Sequence, residues 1–129
     1  MSVEENKAFV KRYVEEPWNK GNVDVLDEMC APNFHLEGLG GVEAFKKVIS
    51  DFRTSFPDLH FTVEEIIAEG EKVAYRWTAH GTHQGEYEGI APTGKTVTTT
   101  GITIIRIVDG KVVDDRFESS SPDVKQQIA

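Results

Sequence analysis

From Phe56 to Ala129 the chain is a succession of long strand-like runs, broken by one glycine-rich loop from His80 to Gly94. Three short amphipathic helical segments precede it. Helices first and long strands after imply an α+β domain, with a sheet packed against helices on one face. A long-stranded sheet must curve to wrap such short helices. A curved sheet plugged by helices is a half-barrel, and it leaves a cavity at one end.

The chain has 129 residues, enough for one domain spanning residues 1–129 and too few for two with normal cores. Its formal net charge is −8. That balance argues against nucleic acid and against an anionic membrane surface, since no basic stripe could meet phosphates. No apolar run approaches the roughly 20 residues of a membrane helix. The polar, acidic start, Met1-Ser-Val-Glu-Glu-Asn6, does not read as a signal peptide. The single cysteine, Cys30, fits a reducing compartment, so a cytoplasmic location is expected. Cys30 reads as buried rather than nucleophilic.

The first helix opens on a capping box, Ser2 with Glu5, and carries Phe9, Val10, Tyr13 and Val14 on one face. Pro17 and Gly21 bracket its end. A second helix is expected from Val23 to Met29, then a short strand from Asn33 to Glu37. The third helix spans about Val42 to Phe52. In the strand from His60 to Glu69 the apolar parity slips between Val63 and Ile66, which calls for a bulge near Glu64-Glu65. The strand from Lys72 to His83 alternates, with Val73, Tyr75, Trp77 and Ala79 on one side. The strand ending at Val108 is apolar on both parities over Ile102, Ile104, Ile105 and Ile107. Helices cover one face of that strand, and a second copy of the chain is the simplest cover for the other, which predicts a homodimer. Asp109-Gly110 is a hairpin turn. The last strand runs from Lys111 to about Ser120 and leads into a short polar tail.

Several of these stretches resemble one family. Trp18-Asn-Lys-Gly21, Ala31-Pro-Asn-Phe34, Phe56-Pro-Asp58, Gly81-Thr-His-Gln-Gly85, Gly89-Ile-Ala-Pro-Thr-Gly94, Asp109-Gly-Lys111 and Gln126-Gln-Ile128 look, in order and spacing, like the SnoaL-like polyketide cyclase (ester cyclase) family. That family is part of the nuclear-transport-factor-2-like (NTF2-like) superfamily. The resemblance implies a cone-shaped half-barrel with three N-terminal helices on a strongly curved mixed or antiparallel sheet. It also implies ring closure by intramolecular aldol condensation on a polyketide ester. An acidic residue moves the proton, with no metal or organic cofactor. The family often ends its last strand on Trp-x-x-Trp-Asp, the Asp being the acid/base. Those positions here hold Arg116, Ser119 and Ser120. A His common after the first strand falls at Glu37.

The candidate catalytic residues are therefore Glu118, Arg116 and Glu37. Arg116, Glu118 and Ser120 share one strand face, which the resemblance turns toward the pocket. Glu118 is expected to replace the missing Asp, and Arg116 to hold a carbonyl or anionic group. Trp18, Phe56, Tyr75, Trp77 and Tyr87 are candidate aromatic ligand contacts, with His35 and Ser120 as polar ones. Glu86 to Gly89 suits a lid. His80 and His83 do not suit a metal, because three residues of strand put them on opposite faces. The expected partner is a small hydrophobic carbonyl or polyketide-like molecule. Two readings remain open: a cofactor-independent cyclase or isomerase, and a non-catalytic binding or accessory protein on the same fold. A third, an interaction module, would need the sheet face exposed in solution.

Overall fold

A computed structural model describes residues 1–120 and 123–129. The elements follow in the order α1 (Val3–Val14), a π-helical turn (Glu15–Asn19), a 3-10 turn (Val23–Val25), α2 (Leu26–Met29), β1 (Cys30–Leu36), α3 (Val42–Ser55), β2 (His60–Glu69), β3 (Lys72–Thr82), β4 (Thr96–Val108), β5 (Lys111–Ser119) and α4 (Val124–Ile128). The five strands form one mixed sheet in the order β1-β5-β4-β3-β2. Only β1 and β5 run parallel; the other neighbours are antiparallel. The sheet is not closed, and the helices pack on one face of it.

The capping box is formed at both ends: Ser2 Oγ accepts from the Glu5 amide at 3.1 Å, and Glu5 accepts from the Ser2 amide at 3.0 Å. Val10, Tyr13 and Val14 are buried against the sheet. Each such side chain contributes roughly 1.5–3 kcal/mol. The bulge in β2 lies where the parity slips, between Val63 and Glu65. Phe34 and Leu36 supply the buried parity of β1, and Cys30 is buried at its start.

Three features depart from the sequence reading. Pro17 does not end the helical path. The chain passes through it in a π-helical turn, closed by Lys20 N–H to Glu15 O at 3.0 Å. The wider turn tolerates the donor that proline lacks. Gly21 ends it at φ +77°, a left-handed conformation that glycine adopts without strain. The first strand begins at Cys30, three residues before Asn33, because it pairs in parallel with β5 from Val112 onward. The polar tail is a short helix, α4, capped by Asp123 and anchored by the buried Ile128.

Candidate functional site

Between the helices and the inner face of the sheet lies a cavity of about 160 Å³. Along β3 it extends from Tyr75 to Gly81, a span of roughly 20 Å at strand rise. Its lining is almost entirely apolar. Val14 and Trp18 close it from the first helical segment, and Phe45, Val48 and Phe52 from α3. Phe61, Tyr75 and Trp77 form the facing wall.

The position of Trp18 is tightly specified. Its carbonyl accepts from Arg53 Nη1 at 2.7 Å, and the same nitrogen donates to Asn19 O at 3.0 Å. Asn19 grips the edge strand: its amide donates to Phe61 O at 2.9 Å and accepts from Phe61 N at 2.7 Å. The π-helical turn is thereby fastened to β2. The indole of Trp18 sits 4.6 Å from the Phe61 ring, centroid to centroid.

One carboxylate enters this apolar space, that of Asp115. It is 3% exposed and lines the cavity. Tyr13 donates its phenol proton to Asp115 Oδ2 at 2.7 Å. Burial pushes the Asp115 carboxyl up to about 6, and the Tyr13 hydrogen bond offsets only part of that. Burial also raises the Tyr13 and Tyr75 phenols well above their usual range, and the Asp115 charge adds to it. Both phenols therefore stay protonated near neutral pH, as hydrogen-bond donors. Tyr75 lines the cavity beside Thr103, whose hydroxyl accepts from Trp77 Nε1 at 2.8 Å. Cys30 is close enough to feel the Asp115 charge; burial first, then that charge, raises its thiol to about 12. Such a thiol holds almost no thiolate at neutral pH.

The expectation that Arg116, Glu118 and Ser120 face the cavity is reversed. In a directly opposed antiparallel pair both side chains point to the same side of the sheet. The buried Ile105 and Thr103 of β4 pair with Asp115 and Phe117 of β5, so the odd-numbered residues of β5 turn inward. Asp115, Phe117 and Ser119 line the cavity. Arg116 and Glu118 are exposed on the outer face. Arg116 Nε pairs with Glu37 Oε2 at 2.9 Å, both side chains well solvated. His35, Glu37 and Arg116 do gather, with Asp114 and Asp115, around a polar cleft at the β1 edge. It lies on the solvent side of the sheet. Ser120 is also exposed, and its Oγ accepts from Thr100 N at 3.1 Å.

Of the aromatic candidates, Trp18, Phe56, Tyr75 and Trp77 line the cavity. Tyr87 stands one layer behind, packed on Phe52 and Phe56 at 5.8 Å from each. Its loop is tied down rather than free: Ser55 Oγ donates to Glu86 O at 2.6 Å. His83 anchors the same loop, with Nδ1 3.0 Å from Thr93 Oγ1. Among the described residues no three His, Cys, Asp or Glu side chains gather as a metal site would require.

Asp115 was the residue that sequence reasoning missed. The one local signal was Phe117, an apolar residue two positions on whose parity Asp115 shares; before it, the consecutive Val112 and Val113 mask the alternation.

Comparison with known proteins agrees with this architecture. The SnoaL-like polyketide cyclase family matches residues 8–128. The aklanonic acid methyl ester cyclase DauD of Streptomyces sp. (strain C5) is 34% identical over 117 residues, covering 84% of this chain and 71% of that protein. The aklanonic acid methyl ester cyclase DnrD of Streptomyces peucetius is 30% identical, covering 84% and 79%. TsrD from Streptomyces laurentii superposes with a TM-score of 0.89 over 100% of this chain and 98% of that one; at 21% identity it attests the fold alone. On the family match and these relatives, the chain belongs to the SnoaL-like polyketide cyclase family.

Proposed function

We propose that the protein is a cofactor-independent enzyme that moves a proton next to the carbonyl group of a small hydrophobic, polyketide-like compound. The observation that carries this reading is Asp115, a carboxylate with a pKa of about 6 in an apolar cavity. At neutral pH it is mostly ionised and poorly solvated, the condition of a general base. Asp115 takes a proton from carbon alpha to the carbonyl, and the C–H electron pair moves to the carbonyl oxygen. The protonated phenol of Tyr75, which lines the same cavity, stabilises that oxygen by donating a hydrogen bond. In a ring closure the enolate carbon attacks a second carbonyl of the same molecule, forming the C–C bond. The π pair of that C=O becomes an alkoxide, which takes the proton back from Asp115. In an isomerisation the proton returns to another carbon instead. Tyr13 holds the carboxylate in place throughout. The cyclase relatives support the ring-closing outcome.

The test is the rate of ring closure or of deuterium exchange alpha to the carbonyl, measured on aryl ketones bearing an ester side chain. Wild type should catalyse one or both, and Asp115→Asn neither. A folded wild-type protein that binds such ketones and leaves the exchange rate at the buffer value would favour the alternative, a non-catalytic binding protein. That alternative draws support from Ser120, where the resemblance expects an acid.

The same reading includes a homodimer formed through the outer sheet face. Ile102 and Ile104 on that face are 50% and 45% exposed, and Ile67 is 63% exposed. Ile67, Ala74, Ile104 and Arg116 form one cross-strand row; Glu65, Arg76, Ile102 and Glu118 form the next. An apolar centre with charges of both signs around it can face a copy of itself across a two-fold axis.

A further inference from the structure

The cavity owes its width to a missing side chain. Trp77 on β3 stands directly opposite Gly101 on β4, and paired residues share a face. The indole lies across the Gly101 backbone. A Cβ at residue 101 would fall 2.3 Å from Trp77 Cζ2 and 2.7 Å from Cη2. It would also fall 2.7 Å from Glu118 O, because β5 approaches closely here. The indole is held in this seat by its Nε1 bond to Thr103 Oγ1, two residues further along the same face of β4. On its other side it meets the Phe61 ring at 5.1 Å and the cavity.

We propose that Gly101 and Thr103 determine specificity, by seating the Trp77 indole flat against the sheet so that the cavity accepts the wider members of its ligand class. Behind the indole is backbone, so an indole driven from its seat can move only into the cavity. Any side chain at residue 101 evicts it sterically. Loss of the Thr103 hydroxyl evicts it by leaving the buried indole N–H without an acceptor, a penalty that a buried donor avoids by moving. The selection is by ring size: a one-ring ketone fits beside a displaced indole, and a two-ring ketone does not. This inference rests on the cavity being the ligand site, as proposed above.

The steric claim can be read without any ligand. A crystal structure of Gly101→Ala should show the Trp77 ring moved toward the cavity; a ring still in its wild-type position overturns the proposal. The selectivity claim uses acetophenone and 1-tetralone as probes, titrated into wild type, Gly101→Ala, Thr103→Val and Thr103→Ser. Affinity for 1-tetralone relative to acetophenone should fall about 10-fold or more in Gly101→Ala and Thr103→Val, the scale of steric discrimination in apolar pockets. Thr103→Ser keeps the hydroxyl and should keep the wild-type ratio. Unchanged ratios in the first two variants, or a fall in Thr103→Ser equal to that in Thr103→Val, would refute it. If Gly101→Ala does not fold, since its Cβ would also press on the Glu118 carbonyl, Thr103→Val against Thr103→Ser decides the proposal, and equal ratios in those two refute it. Wild type binding neither ketone would sink the ligand reading above, while the indole position in the Gly101→Ala crystal still decides the steric claim.

Discussion

Asp114 and Asp115 are neighbours on one strand, and they live in different solvents. Asp114 faces out, partly exposed, with Arg106 Nε at 3.0 Å. Asp115 faces in, 3% exposed, with one phenol as its hydrogen-bond partner and apolar side chains around it. The difference of face extends along β5: Arg116 and Glu118 point outward, while Phe117 and Ser119 line the cavity though both are exposed. Solvated ion pairs on a surface contribute little and perturb little. A buried carboxylate with few partners costs stability and acquires chemistry. The functional carboxylate of a strand is therefore better sought by which face it occupies than by which charges cluster near it.

The comparison breaks most directly at Asp115 itself. Asp115→Asn keeps the shape and can still accept the Tyr13 hydrogen bond, but it cannot take a proton. The rate of alpha-proton exchange should fall about 10²- to 10⁴-fold, the range of a lost general base. Steady-state kinetics of the wild type should show activity rising with pH through an apparent pKa near 6, as the carboxyl ionises. Activity that is flat from pH 5 to 8 would mean that another group carries the proton.

Stability should run the opposite way. The folded carboxyl has a pKa of about 6 against a usual value of 3.8, so the folded state binds the proton more tightly than the unfolded one. Between about pH 4 and 6 the folded state holds more protons, and stability falls as pH rises through that window. Above it, the full penalty is present, about 3 kcal/mol from the size of the shift. Asp115→Asn removes that penalty, so chemical denaturation should find the variant more stable than wild type at pH 7 and nearly equal at pH 4. Other carboxylates titrate equally in both proteins, so the difference isolates this one. A variant less stable than wild type at pH 7 would show that Asp115 is a structural anchor rather than a strained base.

Much of the architecture was legible in the sequence because it is set by local pattern. The capping box of α1, the bulge in β2 and the alternation of β3 follow from residues within a few positions of each other. The aromatic wall of Trp18, Phe56, Tyr75 and Trp77 was legible for the same reason. The phase of β5 was not local. It is set by pairing with β4, where the register shifts between Arg106 and Ile107, and by the consecutive buried residues Val112 and Val113. A motif aligned from the family put Arg116 and Glu118 inside; the cross-strand pairs put them outside. The turn through Pro17 was hidden too, since a proline ordinarily ends a helix and the turn is fastened by Arg53 and Phe61, which come from distant elements.

The outer face can be tested through its apolar centre. If Ile102 and Ile104 meet a second copy, Ile104→Glu places a charge opposite its own symmetry mate or in an apolar patch. The dimer dissociation constant should rise at least about tenfold by sedimentation or light scattering. Proton exchange at Asp115, on the other side of the sheet, should be affected far less. A wild-type protein that is monomeric at micromolar concentration would leave the exposed isoleucines without this explanation.

The smallest effects should come from the residues whose charges stand out most in the sequence. Arg116 and Glu37 form an ion pair in which both side chains are mostly solvated, and Glu118 is exposed beside Ile102. Arg116→Ala exchanges one solvated partner for water, and Glu118→Gln removes a charge that faces solvent. Neither side chain lines the cavity. Their exchange rates should stay within about twofold of wild type, as expected for exposed pairs with modest coupling. Salt should shrink even that difference, because water and ions screen charges on this face. A hundredfold loss in Glu118→Gln, with Asp115→Asn near wild type, would mean that the two faces of β5 have exchanged roles.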